Sequence, residues 1–284
     1  MKIAITGANG LLGNGLVLVF AERHAVLPLT HAECDVTDGA RVRAVFAKAQ
    51  VEAVVHAAAI PDLDICEADP AHAYRVNVQG TRNVVEAVRE TSASVAYISS
   101  DSVFDGEKRT PYTESDAPNP PTVYGWTKLQ AEEAVRTLPG NFIFRIPVLF
   151  GPGKENFISK GLRKLANGEE YVVASDQLGG ALHTLDGARK MMEVMEAGRA
   201  GTYHLANTGA CDRLELARRA AKLAGLNGRR IVGKPSAEMG RPAKRLKYAV
   251  MEMHALQDAG FALPRPWEEA LAEYVREWTI GQKS

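Results

Sequence analysis

Tyr124 and Lys128 lie four residues apart in "PNPPTVYGWTKLQAEEAV" (118–135), just after a cluster of prolines. Pro118, Pro120 and Pro121 prevent a helix from running through them, and Pro121 suits the first turn of one. From Thr122 onward good helix formers follow, so the tyrosine and lysine fall one turn apart on one face. Such a pair can move a proton. A hydride delivered to a carbonyl carbon leaves an alkoxide, and a phenol can protonate it once its pKa, near 10, is brought down. A neighbouring ammonium favours the phenolate and acts in that direction. A serine hydroxyl is the third part, because it holds the carbonyl oxygen. "YISSDSVFDG" (97–106) supplies Ser99, Ser100 and Asp101 at the end of an apolar run.

The elements needed to hold these groups recur along the chain. "KIAIT" (2–6) is an expected strand, followed by a helix from about Leu12 to Glu22. "AVLPL" (25–29), "EAVVHAAA" (52–59) and "SVAYISS" (94–100) are further strands, and "NFIFRIPVLFG" (141–151) follows the Tyr124 helix. Between them come a helix over 39–49, capped by Asp38, and a long helix from about Pro70 to Glu90. This alternation predicts an α/β fold: a Rossmann-like, doubly wound parallel sheet with a smaller C-terminal substrate-binding lobe. The expected division is a nucleotide-binding domain over 1–150 and the second lobe over 151–284. The later strand "GTYHLA" (201–206) is a candidate to rejoin the sheet. Helices are expected near 156–167, 185–197 and 266–278. Met191, Met192 and Met195 read as core, and "RPAKRLK" (241–247) as a solvated loop.

The cofactor end is the glycine loop "TGANGLLG" (6–13), with Gly7, Gly10 and Gly13 between strand and helix. Glycine there permits a tight turn, close approach of a pyrophosphate and close helix packing, and the helix N-terminus offers free N–H groups. "CDVTD" (34–38) places Asp35 and Val36 where they can border an adenine ring. In "HAAAI" (56–60), Ala57, Ala58 and Ala59 leave room for a flat ring against the backbone. No acid stands at the end of the second strand, where Thr30 and His31 arrive. That predicts a modest preference for NADPH, with NADH also accepted.

Lys+Arg and Asp+Glu both number 34 in 284 residues, so no global field points to nucleic acid or to an anionic membrane. Cys34, Cys66 and Cys211 are too few and too scattered for a disulfide framework. The histidines lack ligand spacing, so no metal site is expected. A strand pattern from the first residues and the lack of a long apolar run predict a soluble, cytoplasmic protein.

Taken together, "TGANGLLG", "HAAA", "SSD" and "YGWTK" resemble the extended short-chain dehydrogenase/reductases. "CDVTD", "CEADPAHAYRVNVQGT", "ISSDSVFDG", "PYTESDAPNPPTVYGWTKLQAEEAV" and "DQLGG" resemble the dTDP-4-dehydrorhamnose reductase branch. The resemblance implies an NAD(P)H-dependent reductase of a keto group on a nucleotide-linked sugar, working as a homodimer. It assigns Tyr124 as proton donor, Lys128 to the nicotinamide ribose, and Ser100 to the substrate carbonyl with Asp101 nearby. It assigns cofactor contacts to Gly10, Leu11 and Leu12, to Asp35 and Val36, and to Ala59, Ile60 and Pro61. Departures gather on the substrate side. Val148 replaces a usual tryptophan, Ser102 a tyrosine and Arg245 a serine, and "DQLGGALHT" (176–184) lacks the usual proline-threonine. An epimerase or dehydratase of the same extended family is an alternative, although the Asp-Glu pair usual in dehydratases is missing after Ser100. "RIPVLFG" also resembles the regulatory beta subunit of methionine adenosyltransferase, a non-catalytic partner protein.

Overall fold

In the computed structural model, residues 1–91 and 93–281 are described. Six strands form one parallel sheet: β1 (Lys2–Thr6), β2 (Ala25–Leu29), β3 (Ala53–His56), β4 (Ser94–Ser100), β5 (Phe142–Ile146) and, much later in the chain, Gly201–His204. Their spatial order is β2-β1-β3-β4-β5 with Gly201–His204 at the far edge, so the order reverses beside β1 and opens a crevice at the carboxyl ends.

Alternate residues of each strand enter different cores, the period of two that a pleated sheet imposes. Ile3 and Ile5, with Phe142, Phe144 and Ile146, face α1 (Leu11–Phe20) and a later helix, Thr184–Glu196. That helix buries Met191, Met192 and Met195 as expected. Ala4 and Ile143 face the opposite way, toward α2 (Gly39–Ala49), a helix over Gly80–Thr91, and the Tyr124 helix, Val123–Arg136. Asp38 caps α2, accepting from the Arg41 N–H at 3.0 Å.

Two expectations need correction. The long helix from Pro70 is interrupted: α3 (Leu63–Ala68) and α4 (Pro70–Ala73) lead into a π-helical segment, Tyr74–Gln79, before α5 (Gly80–Thr91). The apolar run "NFIFRIPVLFG" holds two strands. β5 stops before Pro147, which has no N–H to give a ladder, and β6 (Val148–Phe150) pairs instead with a strand of the second lobe. The third strand ends at His56, and the alanines after it form a loop along the crevice.

Past α6 (Val123–Arg136) the chain serves both lobes. After α7 (Phe157–Ala166), β7 (Tyr171–Ala174), β8 (Leu178–Gly179) and β9 (Ala181–His183), α8 (Thr184–Glu196) and β10 (Gly201–His204) return to the main sheet. The smaller lobe has its own core of Phe150, Ile158, Leu162, Leu216, Trp267 and Leu271. It is completed by β11 (Cys211–Asp212), α9 (Arg213–Leu223), β12 (Ile231–Lys234), β13 (Tyr248–Ala249) and, after α10 (His254–Asp258) has returned to the main-sheet core through Leu256, by α11 (Trp267–Gly281) at the end of the chain. The 241–247 segment is not a free solvated loop. Arg245 pairs with Asp64 of α3 at 2.7 Å, Lys244 with Glu107 at 3.0 Å, and Ala243 N–H donates to Asp64 at 3.1 Å. It therefore straps the second lobe to the first. No helix among the described residues is long and apolar enough to cross a membrane.

Candidate active site

The glycine loop has the shape of a cradle. Gly7 has φ +69°, and a Cβ there would lie 2.8 Å from Ala58 Cα; a Cβ on Gly13 would lie 2.0 Å from the Gly7 carbonyl. No side chain caps α1 at Gly10, whereas Asp38, Thr122, Asn156 and Asp212 cap α2, α6, α7 and α9. The N–H groups opening α1 are therefore left for an anion, and a dinucleotide pyrophosphate fits them. Leu12 itself is buried in the core, so only its backbone faces the cradle, while Leu11 is half-buried. Ala57, Ala58, Ala59 and Ile60 line the opposite wall, partly exposed, with Pro61 at its open end. Val36 is buried against Gly80, and Asp35 uses one oxygen on the Thr37 N–H and hydroxyl, at 2.9 and 2.8 Å.

Sequence reading missed the groups that hold this wall. Asn77, in the π-helical segment, accepts from Ile60 N–H at 2.8 Å and donates to Ile60 O at 3.2 Å and to the Thr127 hydroxyl of α6 at 3.0 Å. Beside it, buried His56 contacts Thr6 Oγ1 at 2.7 Å and Thr81 Oγ1 at 3.0 Å. Thr81 spends its own proton on Asn77 O at 2.7 Å, so it accepts from His56 Nε2–H and Thr6 donates to Nδ1. Burial drives His56 down to about 3, and it stays neutral.

At the end of β4, Ser100 Oγ donates to Asp101 at 2.9 Å and accepts from Ser102 N–H at 3.1 Å. Ser102 thus belongs to the serine-aspartate cluster instead of presenting a ring. Asp101 is buried, which raises its carboxyl above the usual range, while the Ser100 hydrogen bond and then the charge of Arg213, on the second lobe, oppose the rise. Across from it, α6 buries Tyr124 and Lys128. Gly125 is required between them, since a Cβ would lie 2.0 Å from Ser102 O. Ser100, at the end of β4, lies close enough to Tyr124 of α6 to work against the rise in the tyrosine's pKa.

The electrostatics differ from the expectation. Burial raises the Tyr124 pKa, and Ser100 offsets this only in part. Lys128 Nζ sits 4.2 Å from the centroid of the Tyr97 ring, and burial brings it down to about 7, opposed by Glu132. Glu132 is buried one further turn along the same face of α6. Val148 is part-exposed on β6, packed at the edge of the smaller lobe's core. Among the described residues no group of three or more His, Cys, Asp or Glu side chains is placed to hold a metal.

A strand–glycine loop–helix unit in a reversed parallel sheet, with Ser100 at the end of β4 and Tyr124 and Lys128 on α6, has the arrangement expected of an extended short-chain dehydrogenase/reductase. The sequence matches the RmlD substrate binding domain family over residues 1–280, and the chain belongs to that family, the dTDP-4-dehydrorhamnose reductases. It is 36% identical to the dTDP-4-dehydrorhamnose reductase of Streptomyces griseus over 277 residues, 95% of this chain and 91% of the relative. Crystal structures of dTDP-4-dehydrorhamnose reductases from Clostridium acetobutylicum (33% identical, TM-score 0.93, 98% and 99% of the two chains) and from Bacillus anthracis in complex with NADP (31%, TM-score 0.93, 97% and 99%) superpose on it.

Proposed function

We propose that the chain is an NADPH-dependent reductase of a keto group on a nucleotide-linked sugar, with a dTDP-4-dehydro-6-deoxy sugar as the substrate class. The observation that carries this is the proximity of Ser100, at the end of β4, to Tyr124 on α6, beside an uncapped glycine cradle. Bound cofactor supplies a hydride. Ser100 holds the carbonyl oxygen, and Tyr124 delivers its proton to that oxygen as charge develops. Lys128 orients the cofactor ribose and supplies positive charge once a bound ligand completes the site. Gly7, Gly10, Leu11 and Gly13 bind the pyrophosphate through the backbone, Asp35 and Val36 border the adenine, and Ala57 to Pro61 flank the nicotinamide side. Asp101 and Val148 face the sugar. The working unit is a cytoplasmic homodimer, which light scattering tests: a monomer at micromolar concentration overturns it.

The test of the activity is NADPH absorbance with dTDP-4-dehydrorhamnose and related 4-keto sugar nucleotides. Turnover with at least one of them is expected. Cofactor binding without turnover on any of them overturns the catalytic proposal.

A further inference from the structure

The end of β2 carries a feature that its sequence does not advertise. In a dinucleotide fold this strand end faces the adenosine ribose, where an acid accepts from a 2′-hydroxyl and a cation receives a 2′-phosphate. Residues 29–31 of this chain, Leu-Thr-His, offer neither an acid nor an arginine. The chain then turns tightly, Cys34 N–H donating to Thr30 O at 3.0 Å, and the turn brings Glu33 back. One oxygen of Glu33 accepts from Thr30 N–H at 2.9 Å and from the Thr30 hydroxyl as well. The carboxylate covers both donors at the strand end. Among the described residues no ion pair engages Glu33, so these two uncharged donors are its partners there.

The cations nearby are sorted. Arg43 turns away to Glu86 and Glu90 of α5, at 3.7 and 4.0 Å. Arg41 turns inward, its Nε donating to Glu33 O at 3.2 Å, so its guanidinium is held against the same turn without neutralising the carboxylate. A carboxylate on two convergent donors beside an arginine has the arrangement of a phosphate site with an anion of the protein's own in it.

We propose that Glu33 is an internal stand-in for the cofactor's 2′-phosphate, and that it sets how far this chain separates NADPH from NADH. A 2′-phosphate and the Glu33 carboxylate cannot share the Thr30 donors, because like charges at that distance repel. NADPH binding therefore swings Glu33 outward, and the phosphate takes Thr30 N–H, the Thr30 hydroxyl and Arg41. NADH leaves Glu33 in place, with its second oxygen as acceptor for the ribose 2′-hydroxyl. The same residue thus weakens one cofactor and supports the other.

This rests on the dinucleotide reading of the cradle, and binding without any sugar substrate tests the two separately. Titrations of the wild-type protein with NADP⁺, NAD⁺ and 2′,5′-ADP by calorimetry establish the baseline; if none of them binds, the cradle reading itself is overturned. Glu33→Gln is expected to raise the NADP⁺ to NAD⁺ affinity ratio fivefold or more and to tighten 2′,5′-ADP. Thr30→Val in the Glu33→Gln background is expected to erase that gain. An unchanged ratio in Glu33→Gln, or a gain that survives Thr30→Val, overturns the proposal. Glu33 is exposed, so the variant is expected to melt with the wild type.

Discussion

Glu132 and Arg145 meet in a two-pronged ion pair, Oε1 to Nε at 2.9 Å and Oε2 to Nη2 at 2.8 Å, both side chains fully buried. The pair joins α6 to β5 one turn beyond Lys128, and Ser99, next to Ser100, donates to the same carboxylate at 2.5 Å. It thereby fixes the helix bearing Tyr124 against the strand bearing the serines. A lone buried charge costs far more than a paired one. Glu132→Gln, which leaves Arg145 buried without a carboxylate, is therefore expected to lose about 3–5 kcal/mol of stability, read from urea unfolding, and Arg145→Met less, because Arg136 still pairs with Glu132 at 2.7 Å. A loss below about 1 kcal/mol in Glu132→Gln contradicts the anchoring role.

Tyr124→Phe removes a proton and leaves the packing. Turnover is expected to fall roughly 10²- to 10⁴-fold, while the dissociation constant for NADP⁺ stays within about twofold. Stopped-flow or steady-state kinetics beside a binding titration separates the two. Turnover retained within about threefold of the wild type removes Tyr124 from the mechanism.

Lys128 gives the protein a stability that depends on pH in an unusual direction. Its folded pKa, about 7, lies below the ordinary lysine value, so between the two the unfolded chain holds more protons. Stability then rises as pH rises above about 7. Buried thiols act oppositely at higher pH, with Cys66 pushed up to about 11 and Cys211 to about 12, so the window closes near their ordinary value of 9.0. Unfolding free energies at several pH values from about 7 to 8.5 test this in the cofactor-free protein. Lys128→Met is expected to flatten the rise, and an identical slope in that variant argues against a depressed lysine.

What the sequence disclosed was set by how local each signal is. The glycine loop and the Tyr124 helix are written in neighbouring residues, so "TGANGLLG" and "YGWTK" placed both. The break at Pro147 was local too, but an apolar run on both sides concealed that β6 pairs with β9, whose residues are more than thirty positions away. Asn77 and His56 work through partners at separations of 17 to 50 residues, which no spacing rule reaches. The "RPAKRLK" strap misled for the same reason: Asp64, 181 residues from Arg245, decides its fate. Lys128 was expected to lower the Tyr124 pKa because charge was weighed and burial was not. In the folded chain burial is the larger effect on both residues.

His56 provides an acid-side test of the wall that Asn77 and the alanines form. It is enclosed, bonded through both ring nitrogens to threonine hydroxyls, and burial, with Lys128 adding to it, lowers its pKa to about 3. The unfolded chain titrates this histidine near its ordinary value of 6.5, so between 6.5 and about 3 the unfolded state holds the extra proton. Stability is therefore expected to fall as pH drops through that window, one such group contributing at most about 1.4 kcal/mol per pH unit. His204, lowered to about 4, adds a second contribution over the upper part of it. His56→Gln cannot take up that proton. It is expected to start from a lower stability at neutral pH, having lost a two-sided hydrogen bond, yet to decline less steeply than the wild type from pH 6.5 to 4.5. Unfolding free energies measured in urea at four or five pH values distinguish the slopes, and parallel slopes for the two proteins show that His56 protonates in the folded state as readily as in the unfolded one.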